Sequence, residues 1–145
     1  HEHFKYDHVN IRTKRQVGST FKPFVYAAAL ENGLEPCLYL SNSAKSYKVK
    51  EGYWTPRNSD GLYDGYYSMQ GALVNSINTV TVRLIDTVGI DKTIALAKRA
   101  GILSRLDTLP AVALGAASIS LYEMVGAYSA FVNKGEYVQP RHILR

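Results

Sequence analysis

Apolar positions recur at helical spacing in several stretches of the chain, separated by segments rich in glycine, tyrosine and small polar residues. Over residues 20–32, Phe24, Val25, Ala28 and Ala29 form one stripe that Ala27 and Leu30 widen, which predicts an α-helix. Pro23 fits only the first turn of that helix, where its missing N–H is not needed, so the start lies near Ser19 or Thr20. Asn32-Gly33 supplies the stop. Residues 68–75 predict a short helix capped by Ser68. It is interrupted at Asn75-Ser76-Ile77-Asn78, residue types that favour caps and turns. The β-branched run Thr79, Val80, Thr81 and Val82 suits a strand. However, Val82, Leu84 and Ile85 continue at helical spacing and Gly89 closes the segment, so a helix over 79–88 is expected. Asp91 is expected to cap a further helix to about Ala100, ended by Gly101. Ser120-Leu121-Tyr122-Glu123 reads as a capping box opening a helix to about Asn133, with Gly135 just beyond.

Two segments break this pattern. Residues 1–17 are polar and basic, with alternation over Tyr6–Ile11, and read as an extended lead-in to a turn at Gly18. Residues 34–67 carry Pro36, Pro56 and many Tyr, Ser and Asn residues, which predicts a long irregular loop with a short hairpin around Tyr47–Trp54. So long a loop is uncommon unless it has a task such as lining a cleft. Tyr53, Trp54, Tyr63, Tyr66 and Tyr67 could form a cleft wall or pack the loop onto the domain. The result is a mainly α chain with no clear run of core strands: a lead-in, 1–17, and a mostly helical subdomain, 18–145.

Composition narrows the class. The 145 residues suit one domain or a piece of a larger one, and 46% hydrophobic residues argue against disorder. No apolar run approaches the roughly 20 residues of a membrane helix. The chain begins with His1 rather than Met, and is read as an excised or processed segment whose targeting signals lie elsewhere. A single cysteine, Cys37, leaves no internal disulfide and has no partner histidine at a suggestive spacing. His1, His3 and His8 lack the i, i+4 spacing of a helical zinc site, so no metal and no cofactor is expected. The net charge of +5 comes with no recognisable nucleic-acid motif, and no nucleic-acid partner is expected.

The candidate chemistry sits at Ser19. A serine hydroxyl holds its proton at neutral pH and needs a base within reach to act as a nucleophile. Lys22 follows three residues later, which on a helix puts it on the same face. Its amine can take a proton only when neutral, which requires burial or a nearby cation to lower its pKa to roughly 7–8. Near a helix start, the Ser19 backbone N–H is unpaired and the helix dipole favours negative charge, conditions that suit an oxyanion. Gly18 permits a sharp turn and close approach of a substrate. Ser-x-x-Lys by itself is a weak signal.

The string Arg15-Gln16-Val17-Gly18-Ser19-Thr20-Phe21-Lys22-Pro23 resembles the nucleophile region of penicillin-binding proteins of class A type, with Val17 where the family usually has proline. A second family element, Ser-x-Asn, is present as Ser76-Ile77-Asn78. Similarity extends through Trp54-x-Pro56-x-Asn58, Ala72-Leu73, Leu114-Gly115, Glu123-Met124-x-x-Ala127-Tyr128 and Asn133-x-Gly135, covering about residues 15–140. The third element, Lys-Thr-Gly or Lys-Ser-Gly on an edge strand, is absent: Lys92-Thr93 is followed by Ile94 in a predicted helix.

The resemblance implies a fold and an activity. The fold would be the helical portion of the α/β β-lactamase/transpeptidase-like fold, with its central antiparallel sheet largely missing. The activity would be D-Ala-D-Ala transpeptidation that cross-links peptidoglycan stem peptides through acyl-Ser19, with β-lactams as inhibitors. Lys22 would be the general base, Ser76 would relay a proton to the leaving amine, and Asn78 would bind the substrate amide. A D,D-carboxypeptidase, a β-lactamase-like hydrolase, and a non-catalytic penicillin-sensing or wall-binding module are the alternatives. The parent protein would be membrane-anchored on the extracytoplasmic, periplasmic face of the plasma membrane, its anchor outside this chain. The isolated chain is expected to be largely inactive, for want of a second oxyanion donor, and to self-associate through the face the missing sheet would cover.

Overall fold

A computed structural model describes Asp7 and residues 9–141 of the chain. His1, His3, His8 and Tyr6 lie outside these described residues, whereas Val9–Arg12 form a turn rather than the expected extended lead-in. Strand β1, Lys14–Gln16, then leads into a 3-10 turn, Gly18–Phe21, and helix α1, Lys22–Glu31. The expected helix over 20–32 is thus tighter in its first turn. Pro23 sits in the first turn of α1, and Phe24, Val25, Ala28 and Ala29 are buried as the stripe requires.

The 34–67 stretch holds more strand than its composition suggested. Strands β2, Tyr39–Ser41, β3, Tyr47–Val49, and β4, Gly52–Trp54, precede β5, Tyr66–Ser68. The expected hairpin is β3 with β4, where Tyr47 pairs with Trp54 and Val49 with Gly52. The second ribbon joins the two ends of the loop, with Tyr39 opposite Ser68 and Ser41 opposite Tyr66. Trp54 and Tyr67 are half-buried against the core and Tyr63 is half-buried, while Tyr53 and Tyr66 stand in solvent.

Helix α2, Met69–Val74, is capped by Ser68, whose Oγ accepts the Gly71 N–H at 3.1 Å. Helix α3, Asn78–Val88, runs to Gly89, and α4, Ile90–Arg99, begins directly from that same glycine. Gly89, not Asp91, is therefore the cap of α4. Its φ of 101° lets the chain reverse between two helices without a loop, and Asp91 falls inside the first turn, where it faces the helix dipole. A 3-10 segment, Pro110–Leu114, precedes β6, Ser118–Ser120, and α5, Leu121–Val132. The capping box at Ser120 and Glu123 is complete.

The core lies where α1 packs on α3 and α4, closed by the 110–114 segment against α3. Val80, Val82, Leu84 and Ile85 of α3 meet the α1 stripe with almost no exposure. The β-branched start of α3 is thus spent on core packing, which explains why strand propensity does not decide its structure. The chain is mainly helical, and strands among the described residues form three antiparallel ribbons of two. One ribbon bears on the chemistry: β1 pairs with β6, Lys14 opposite Ser120 and Gln16 opposite Ser118.

Candidate active site

The β1–β6 ribbon continues as a backbone clasp into the turn that carries Ser19. Val17 N–H donates to Ala117 O and Gly18 N–H to Gly115 O, both at 3.2 Å. Gly18 has φ 56° and Gly115 φ 73°. A side chain on Gly115 would run into the backbone of Gly18, so the two segments touch where neither carries a side chain. This fixes Ser19 as the second residue of a helical run, exposed to solvent, where backbone N–H groups have no intrahelical acceptor.

Lys22 opens α1 and is 1% exposed. Its Nζ donates to Ser76 O at 2.6 Å, to Ser76 Oγ at 2.9 Å and to Asn78 Oδ1 at 2.6 Å. All three acceptors are uncharged. No negative charge among them pairs with the buried ammonium, and burial lowers the Lys22 pKa to about 8. The three donors of the protonated amine are matched by three acceptors, while at pH 7 about one amine in ten is neutral.

Ser76 lies between Lys22 and Ser19. Its hydroxyl accepts from Lys22 and donates to Ser19 Oγ at 3.2 Å. Among the described residues, the hydrogen-bonded link from lysine to nucleophile runs through this hydroxyl. The backbone makes it possible at a cost, for Ser76 has φ 54°, a left-handed conformation that an L side chain tolerates poorly. It occupies the break between α2 and α3, where its own carbonyl and hydroxyl both turn toward Lys22.

Asn78 begins α3. Besides accepting from Lys22, it donates from Nδ2 to Arg57 O at 2.7 Å, which leaves one N–H on the carboxamide for a ligand. Ser19, Lys22, Ser76 and Asn78, which the sequence singled out, therefore converge on one point. Sequence reasoning missed Gly115 as the clasp of the nucleophile turn, and Arg57, Asn58 and Asn42 behind Asn78. Asn58 carried a signal in the Trp54-x-Pro56-x-Asn58 similarity, but no chemistry attached to it. Asn42 carried none.

Beside the nucleophile turn runs an apolar groove of about 800 Å³, lined by Gln16, Val17, Thr20, Leu121, Val125 and Val132 among others. Tyr128 closes one side, donating its hydroxyl to Thr20 O at 2.6 Å and packing edge-on against Phe24. Tyr53, Trp54, Tyr63, Tyr66 and Tyr67, the candidate cleft wall, do not line this groove.

Known proteins resemble this chain in sequence and in fold. The chain is 42% identical over 127 residues to penicillin-binding protein 1A of Haemophilus influenzae, an alignment covering 86% of this chain and 15% of that protein. It is 38% identical over 141 residues to penicillin-binding protein 1A of Pseudomonas aeruginosa, covering 93% and 17%. The chain thus spans about one sixth of the length of these relatives. The crystal structure of the Haemophilus influenzae protein superposes with a TM-score of 0.87 at 38% identity, over 94% of this chain and 21% of that one. Penicillin-binding protein PonA1 from Mycobacterium tuberculosis shares the fold, with a TM-score of 0.79 at 24% identity over 93% of this chain and 38% of that one. The model of the penicillin binding protein transpeptidase domain matches residues 4–144, nearly the whole chain and all four converging side chains, and the chain belongs to that family.

Proposed function

We propose that this chain is the nucleophile-bearing portion of a D,D-transpeptidase that cross-links peptidoglycan stem peptides and is acylated by β-lactams. The observation that carries the reading is the hydrogen-bonded line from buried Lys22 through Ser76 to exposed Ser19. In the first half-reaction, Ser19 Oγ bonds to the carbonyl carbon of the penultimate D-alanine. The Ser19 proton passes by way of Ser76 to the neutral Lys22 amine. Negative charge on the carbonyl oxygen faces the Ser19 N–H, and the free N–H of Asn78 donates to a carbonyl of the substrate's peptide backbone. Collapse breaks the C–N bond, and the proton returns through Ser76 to the departing D-alanine amine. An acceptor amine then attacks the acyl-Ser19 ester: the new C–N bond forms, the amine's proton passes to the neutral Lys22 amine, and the ester C–O bond breaks as a proton returns through Ser76 to Ser19 Oγ. With a β-lactam the broken amide is in the ring, so the leaving amine stays attached.

The reading extends to a membrane-anchored full-length protein at the periplasmic face of the plasma membrane. No helix among the described residues is long and apolar enough to cross a membrane. It also extends to association of the isolated chain with a second copy, since Leu121, Val125 and Val132 leave α5 exposed beside the groove. Alone, the chain is expected to acylate slowly, because a missing oxyanion donor typically costs about 100- to 1,000-fold.

The test is labelling of the full-length protein by a fluorescent penicillin, with Ser19→Ala as control, followed by product analysis on a stem peptide with and without an acceptor amine. Label lost in Ser19→Ala and cross-linked product support the proposal. Hydrolysed product alone would assign a carboxypeptidase, and label retained in Ser19→Ala would remove Ser19 from the chemistry.

A further inference from the structure

The N-terminus of α3 has no cap of its own. Ile77 occupies the cap position, and its hydrocarbon side chain cannot accept the first backbone N–H groups. The acceptor arrives from twenty residues upstream. Asn58 Oδ1 accepts the Asn78 N–H at 3.0 Å and the Thr79 N–H at 3.1 Å. Asn58 Nδ2 donates to Asn42 Oδ1 at 2.8 Å and to Leu62 O at 2.7 Å. Asn42 in turn donates to the carbonyls of Leu62 and Asp64 and accepts the Thr79 hydroxyl at 2.6 Å.

Three features set this apart from ordinary loop packing. Asn42, Asn58 and Thr79 are at most 7% exposed, so their polar atoms depend on one another rather than on water. The amide and carbonyl ends of both carboxamides are used, which leaves neither free to flip without breaking bonds. Lastly, the residue next to Asn58 completes the grip: Arg57 O accepts Asn78 Nδ2 at 2.7 Å. Arg57-Asn58 therefore holds both the backbone and the carboxamide of Asn78. With its nitrogen end pinned at Arg57, the planar carboxamide presents Oδ1 to Lys22. Buried Pro56, with its fixed φ, stiffens the entry to this two-residue piece.

We infer that Asn58, oriented by Asn42, is a positioning residue for acylation of Ser19: it caps α3 from the 34–67 loop and thereby sets Asn78 and Lys22 in register with Ser76. This rests on the reading of Ser19 as the acylated residue. The long loop then has a task that its polar composition alone does not reveal. It is the support on which the Ser76-Ile77-Asn78 corner is held.

The experiment uses the full-length protein and a fluorescent penicillin, separating the limiting acylation rate from the apparent affinity, with melting temperature measured alongside. Asn58→Ala is expected to lower the limiting rate about 30-fold with affinity within about threefold, since misplacing a reacting group by even 1 Å is costly. Asn58→Asp keeps an acceptor for the two N–H groups and is expected to recover to within about fivefold of wild type. Ser104→Ala removes a buried hydrogen bond to Glu123, away from this corner, and is expected to lower the melting temperature with the rate within about twofold. Asn58→Ala acylating at the wild-type rate, or rates that merely follow melting temperature across all variants, would overturn the inference. Should Asn58→Ala not accumulate, Asn42→Ala takes its place: the same loss of limiting rate supports the inference, and a lowered melting temperature with an unchanged rate sinks it. Failure of the underlying reading shows separately, as label persisting in Ser19→Ala.

Discussion

Lys22 Nζ lies 2.9 Å from Ser76 Oγ, and among the described residues that hydroxyl links the lysine amine to Ser19 Oγ by hydrogen bonds. A hydroxyl in this place can accept from one neighbour while donating to the other, so it can reverse both bonds as a proton crosses. Ser76→Ala removes that path without altering the backbone. Acylation by a fluorescent penicillin is expected to slow by about 100- to 1,000-fold, the range for loss of a general acid–base contact. Ser76→Gly should be similarly slow yet more stable than Ser76→Ala by about 1 kcal/mol, because φ 54° costs glycine nothing. Equal stability of the two variants, measured by urea unfolding, would remove the argument for strain at this corner.

Burial sets the pH dependence. The lysine pKa falls to about 8 in the folded protein, from 10.5. Acylation should therefore rise about tenfold per unit as pH increases toward 8 and then level off, as the neutral amine becomes the dominant form. Folding linkage runs the same way. Between about 8 and 10.5 the unfolded chain holds a proton that the folded protein has released, so stability rises with pH across this window. Below it both states are protonated and the full penalty of the buried ammonium applies. A rate profile measured from pH 6 to 9 that stays flat would exclude Lys22 as the proton acceptor.

Local signals made the helical elements and the chemistry legible. Ser68 and Ser120 carry their caps in the sequence, and Gly33 and Gly89 stand at helix ends. The Ser19–Lys22 spacing is a property of one helical turn. What escaped sequence reading depends on long-range pairing. Tyr39 opposite Ser68 closes a ribbon across the whole 34–67 loop, and nothing in either three-residue strand names its partner. Asn42 and Asn58 read as loop residues because asparagine favours turns, yet here they are buried and bonded to each other. The sequence also suggested a direct meeting of Lys22 and Ser19. Only the meeting of two distant segments could place Ser76 between them.

The clasp under the nucleophile predicts a position intolerant of any side chain. Gly115 lies against the backbone of Gly18, and its φ of 73° already disfavours other residues. Gly115→Ala must push apart the two segments that hold Ser19 or adopt another conformation. We expect a loss of about 2–4 kcal/mol in urea unfolding, together with at least about tenfold slower acylation. Alanine at 115 with wild-type stability and labelling would mean that the contact between these glycines does not hold the turn.

Glu123 supplies the last prediction, one of stability rather than catalysis. Its carboxylate is 4% exposed and takes five hydrogen bonds: from Leu103 N–H and Ser104 N–H on Oε1, and from Ser104 Oγ, Ser120 N–H and Ser120 Oγ on Oε2. Burial pushes this carboxyl up, but the bonds from the side chain and backbone of Ser120 and then of Ser104 outweigh it, and its pKa is lowered. A carboxyl held below its unfolded value stabilises the fold above that value, and the contribution is lost as pH falls through the folded one. Glu123→Ala strands the buried backbone N–H groups of Ser104 and Ser120 together with that of exposed Leu103, and should cost about 3–4 kcal/mol at pH 7. Glu123→Gln keeps one acceptor oxygen but turns an NH₂ group toward donors, so an intermediate loss of about 2 kcal/mol is expected. Because the glutamate's advantage depends on its charge, the gap between wild type and Glu123→Gln should narrow on acidification. Urea unfolding of the full-length protein at pH 7 and at pH 3.5 measures that gap, and a gap that does not change with pH would show that packing, not the ionised carboxylate, holds the start of α5.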